Sequence, residues 1–125
     1  MCLHSLENFR PACRGYQVVR LTRTGRCLPF IQWVPRGKKG AGIRTWYAAT
    51  RGQSRAALGL GVPYPSGFHV FHRRRDAVAF GRVFSEKFAI ARVVLRNPIV
   101  VGIQNGARVT VAAERKILAV ERDVS

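Results

Sequence analysis

Residues 88–121 read FAIARVVLRNPIVVGIQNGARVTVAAERKILAVE, and this stretch decides the fold. Val, Ile and Leu crowd it and turn signals divide it, the pattern of strands joined by short connections. Phe88 to Leu95 reads as one strand, ended by the turn signal Asn97-Pro98. Ile99 to Ile103 reads as the next. Gln104-Asn105-Gly106 is a hairpin turn, because Asn-Gly tolerates the positive φ angles that a two-residue connection demands. Arg108 to Ala112 returns from it, and Lys116 to Glu121 supplies a final strand.

Immediately upstream, Gly67-Phe68-His69-Val70-Phe71 is apolar enough for a buried strand, and Arg74 to Val83 is the main helix candidate. Ala77, Ala79, Phe80 and Val83 form its expected inner face. Asp76 falls in its first turn, where the helix dipole favours an anion. Tyr16 to Arg20 and Leu28 to Val34 read as two further strands around a turn at residues 22–26. In the second, Phe30, Gln32 and Val34 share one side, and Ile31 and Trp33 the other. Ile43 to Tyr47 reads as a return strand. Residues 1–15 read as irregular, 35–42 as a mobile Gly-rich basic loop, and 50–66 as a long loop rich in Gly, Pro and Ser. The expectation is one α+β domain over residues 1–125: a small antiparallel sheet with one main helix and long basic loops, basic over 8–75 and β-rich over 76–125.

Charge is the second signal. The 125 residues carry 22 Lys and Arg against 6 Asp and Glu, a formal +16. No acidic residue lies between Glu7 and Asp76. Self-repulsion at this density destabilises the compact state. A polyanion offsets it, and nucleic acid, DNA or RNA, is the commonest; an acidic protein surface is the other candidate partner. All but four of the cations are arginine, which forks onto phosphate and stacks on aromatic faces, although a GC-rich coding sequence produces the same bias. The 47% hydrophobic content is enough for a core. No run approaches the ~20 apolar residues of a membrane span, and no secretory signal pattern is visible. Cys2, Cys13 and Cys27 are odd in number and irregularly spaced, which predicts no disulfide framework and a reducing cytosol.

The start Met1-Cys2-Leu3, the strand Tyr16 to Arg20, and Gly67-Phe68-His69-Val70-Phe71 leading to Asp76-Ala77 resemble a group of small uncharacterised phage and prophage proteins. These begin with MCL and carry a GFH-x-F strand before a short helix. The tail from Gly102 through Gly106 to Val120 is similar to their closing hairpin and strand. The resemblance implies a viral accessory protein in the host cytoplasm or the virion, and no catalytic residues. This chain departs from the group in its extra arginines and its long 35–66 region.

Two basic constellations carry the functional expectation. In the first, Arg36, Lys38, Lys39 and Arg44 are flanked by Trp33 and by Trp46-Tyr47. Cations track a phosphate backbone and planar side chains stack on unpaired bases. The bland alternative is a solvated turn with core tryptophans at its base. In the second, Arg73, Arg74 and Arg75 open the helix, where backbone N–H groups already favour an anion but cations oppose the dipole.

The remaining chemistry is thin. His69 and His72 project to opposite sides of a strand and share no metal; His69 reads as a partly buried residue bonded to backbone. The cysteines add no zinc spacing. Cys2 as an N-terminal nucleophile lacks the large sandwich such hydrolases need. A site built from Gly67–Phe71 and Glu114, as in an ADP-ribosyltransferase, has unspecific spacing. The expectation is therefore a nucleic-acid-binding accessory protein with no catalytic residues, no metal and no cofactor. The alternatives are a phage factor that blocks a host defence or transcription complex, and a virion component.

Overall fold

The structure, a computed structural model, describes Leu3 and residues 5–21, 27–29, 42–49, 67–84 and 88–122. The elements are β1 (Ser5–Glu7), β2 (Arg14–Leu21), β3 (Cys27–Pro29), β4 (Trp46–Ala48), β5 (Phe68–Phe71), α1 (Arg74–Phe84), β6 (Ala89–Gln104) and β7 (Ala107–Glu121). Among the described residues all strand pairings are antiparallel, in one seven-stranded sheet. The expected α+β class, a small antiparallel sheet with one main helix, is what forms.

β6 and β7 make a long hairpin. Asn105 and Gly106 connect them with φ of 50° and 76°, the left-handed pair of a two-residue turn. The hairpin is too long to stay flat. β6 pairs with β2, β2 with β5, β5 with β7, and β7 with β6, so the ladder returns to its starting strand. The circuit closes at one pair, Tyr16 opposite Phe71. There the backbones approach so closely that a Cβ on Gly15 would run into Val70 and lie 2.5 Å from the Phe71 carbonyl oxygen. Only glycine fits.

Alternation then sorts the side chains. Along β2, Val18 and Tyr16 turn to one face and Val19 and Leu21 to the other. The first face packs under α1, with Phe71, Ile90, Val109 and Val111 beneath Ala77, Val78 and Phe80. The Phe71 and Phe80 rings lie 5.3 Å apart at 44°. The second face folds onto itself, gathering Val19, Phe68, Val70, Ala91, Val93, Leu95 and Ile117. Burying each such Val, Ile or Phe contributes roughly 1.5–3 kcal/mol.

Several sequence expectations are corrected. Asn97-Pro98 does not end a strand: β6 runs on through it. Asn97 adopts φ of 55°. Pro98 pairs with Ala112 and Val100 with Val111, so Ile99 is an extra residue at a bulge, where a missing N–H costs no ladder bond. The two strands expected after the turn are likewise one, β7. Residues 5–7, read as irregular, pair with β6. Ile43 and Arg44 form a turn rather than a strand, because Arg44 takes φ of 62°. The helix faces inward through Val78 in place of Ala79 and Val83; Ala79 is exposed and Val83 is 73% exposed. The turn at 22–26, the Leu28–Val34 strand beyond Pro29, the 35–41 part of the basic loop and the 50–66 loop lie outside the described residues.

The segment before β2 is held by a polar clamp. The fully buried Thr110 hydroxyl accepts the Ala12 N–H at 3.1 Å and lies 2.6 Å from His72 Nε2. Phe9 sits edge-on to His72 at 5.4 Å, beneath the Arg108 guanidinium. Burial and then Arg108 lower the His72 pKa. A neutral imidazole accepts the hydroxyl proton while the oxygen takes the amide, which satisfies all three groups. His69, 4% exposed and opposite Val111 in register, is pushed down from 6.5 to about 4 by burial, against a hydrogen bond with the Gly67 backbone.

Two outcomes are expected. Gly15→Ala should cost about 2–3 kcal/mol in urea unfolding, since the obstruction includes backbone. Gly106→Ala, with open space but positive φ, should cost only about 1 kcal/mol. The histidines set a pH dependence. Their folded pKa values lie below the unfolded one, so the unfolded chain binds more protons between the two. Stability is then full above the unfolded value of 6.5 and falls as pH drops toward the folded one. His69 alone should remove about 2 kcal/mol between pH 7 and 5. A flat unfolding free energy over that window would contradict its burial as a neutral imidazole.

Candidate nucleic-acid interface

The face of β2 that carries Tyr16 and Val18 continues past the helix across β6, β7 and β4. Strand register dictates what stands there. Arg14 is opposite Val94, Val94 opposite Lys116, and Lys116 opposite Trp46, one row across four strands. The neighbouring row on one side holds Arg96, Glu114 and Ala48. On the other side Tyr16 pairs with Arg92 and Arg92 with Ala119. Arg14, Arg92 and Arg96 are exposed, and Trp46 and Lys116 are half-buried.

Trp46 is the centre of this surface. The Arg96 guanidinium lies 3.8 Å from its ring centroid and the Lys116 amine 5.2 Å. Arg96 is held in turn: its Nη2 donates to Glu114 Oε2 at 2.5 Å, and the Asn97 side-chain amide donates to Glu114 Oε1 at 2.7 Å. The Arg96 hydrogen bond holds the Glu114 carboxyl below its ordinary range, and the Asn97 bond adds to this.

The helix start borders the same face. Arg74 Nε and Nη2 both donate to Glu121 Oε2, at 2.8 and 2.6 Å. Glu121 stands opposite Ile90, next along β6 and β7 from the Arg92 row. Arg74 lowers the Glu121 pKa, and Arg92 adds to the effect. The pair resolves the conflict of an arginine in the first helical turn, since a carboxylate answers that charge from β7. The Arg73 carbonyl accepts the Asp76 and Ala77 N–H groups, starting the helix.

Of the residues expected from sequence, Arg73 and Arg75 are exposed, Arg74 is bound to Glu121, and Arg44 is exposed in the turn before β4. Trp46 stands on the open face. Tyr47, next in the strand, points the opposite way, packs against the inner core and receives the Gly42 N–H on its hydroxyl at 3.1 Å. The sequence grouped it with Trp46; strand alternation separates them. Trp33, Arg36, Lys38 and Lys39 lie outside the described residues. Sequence reading missed Arg14, Arg92, Arg96 and Lys116, which are scattered along the chain and meet only through register. It also missed Arg115, which is 2% exposed and sits over the Phe68 ring at 4.3 Å.

Among the described residues no three His, Cys, Asp or Glu side chains gather as metal ligands, and no helix is long and apolar enough to cross a membrane. Compared with protein-family models, curated proteins and solved structures, the chain matches none.

Proposed function

We propose that the protein binds nucleic acid largely through phosphate contacts, as a phage accessory protein of the kind its sequence resembles, and that the open face of β2, β6, β7 and β4 is the contact surface. The observation that carries this reading is the row from Arg14 to Trp46 with Arg92 and Arg96 beside it. Arg14 and Lys116 make no ion pair among the described residues. Glu114 and Glu121 are each engaged by an arginine. The face therefore keeps cations for an external anion, in a chain of formal charge +16. Arg36, Lys38 and Lys39 belong to the same reading from sequence and add to the positive charge of the chain.

A protein partner with an acidic surface is the second reading, as for a phage factor docking on a host defence or transcription complex. The outer side of α1 favours it, where Val83 is 73% exposed beside Arg82. A single protein captured stoichiometrically from nuclease-treated lysate, and lost on Val83→Glu, would support it.

The test of the first reading is affinity for a DNA or RNA oligomer measured over a range of salt. Binding should fall steeply, and the triple variant R14A/R92A/K116A should bind all sequences more weakly, with a logarithmic salt slope shallower by about 2–3. A folded triple variant with unchanged affinity and slope would remove this face from the contact surface.

A further inference from the structure

The Trp46, Arg96, Glu114 and Asn97 cluster is more built than phosphate binding needs. A phosphate contact asks only for a mobile cation. Here the guanidinium lies 3.8 Å from the indole centroid, and both Glu114 oxygens are used, one to hold Arg96 and one to hold the Asn97 amide. Asn97 holds that position with φ of 55°, beside the bulge at Pro98 and Val100. Asn is the non-glycine residue that adopts this conformation most readily, and bulges re-aim side chains. The chain holds 6 acidic residues against 22 basic ones, and one of those 6, Glu114, bonds the arginine that lies over the indole. Half of the Arg96 side chain is open to solvent.

Resting on the nucleic-acid reading above, we propose that this cluster is a base-stacking site for single-stranded nucleic acid: an unpaired base lies on the open side of the Arg96 guanidinium, whose other side rests on Trp46, while Arg14, Arg92 and Lys116 take the flanking phosphates. Glu114 and Asn97 are positioning residues that keep the guanidinium flat. Geometry selects the single strand. Four strands at their usual spacing present a face about 14 Å wide, broader than the ~12 Å major groove that admits a helix or a two-stranded ribbon. A duplex resting on this face offers phosphates and keeps its bases away from Arg96. An unpaired strand can lay a base flat, and stacking is available to every base because each has a π-face.

The experiment compares a short oligothymidylate, an abasic oligomer of the same length and charge, and a hairpin duplex, by fluorescence anisotropy at one salt concentration. Wild-type protein should prefer oligothymidylate to the abasic strand about tenfold. Arg96→Lys keeps the charge and loses the plane, so it should bring the ratio of oligothymidylate to abasic affinity close to one, whatever its effect on abasic affinity itself. Glu114→Gln is the sharper variant. It removes a negative charge, so pure electrostatics tightens binding to every oligomer, whereas a positioning role lowers the ratio of oligothymidylate to abasic affinity. Thermal melting confirms that both variants fold. Equal wild-type affinity for the two single strands, with steep salt dependence, would overturn the stacking site and leave the phosphate reading standing. A preference undiminished in both variants would move stacking to another residue and likewise overturn this assignment. Binding to none of the oligomers would overturn both.

Discussion

Gly15 is where two backbones cross. β2 and β5 share a single register pair, Tyr16 with Phe71, and the crossing leaves no room for a side chain beyond hydrogen. Everything else about the sheet follows from that approach. Because β2 reaches β5, the β6–β7 hairpin curls until its ladders meet through shared neighbours. One face then becomes an inner core, and the other divides into a part covered by α1 and a part left open. The clamp at Thr110, His72 and Ala12 holds the preceding segment so that β2 starts in register, aided by the Leu95 N–H bonded to the Cys13 carbonyl at 2.8 Å.

The electrostatics follow the same geometry. Self-repulsion among so many cations is a fold-wide cost, and on the outer face the carboxylates are placed where they also orient. Glu121 ties the helix start to the end of β7 through Arg74, and Glu114 ties Arg96 to Trp46. Exposed ion pairs contribute little to stability on their own, so orientation is the larger consequence of both. Arg115 shows the opposite use of the same residue type. It lies opposite Leu95 and Tyr47 in register and covers the Phe68 ring, as part of the packed interior.

Local chemistry made much of the fold legible. Asn105-Gly106 announced its turn, Gly67 to Phe71 its buried strand and Asp76 the helix start, because each depends on residues adjacent in sequence. Pro98 misled because its usual effect, loss of a ladder bond, is absorbed by a bulge visible only in the register with β7. Val78 was missed because the helix turns its apolar side according to where β2 and β5 lie, which its own sequence does not encode. The candidate site was legible only at Trp46. Arg14, Arg92, Arg96 and Lys116 are scattered from position 14 to position 116 and form one surface through cross-strand pairing alone. The adjacent Trp46-Tyr47 looked like one stacking unit, and alternation sends its rings to opposite sides of the sheet.

The most direct measurement is amide chemical-shift mapping of the isotope-labelled protein as a single-stranded oligomer is added. If the open sheet face is the contact surface, the shifts concentrate at residues 14–16, 46–48, 92–97 and 114–119, with the buried strand 68–71 largely still. Shifts confined to the outer side of the helix around Val83, or none at saturating oligomer, would contradict it.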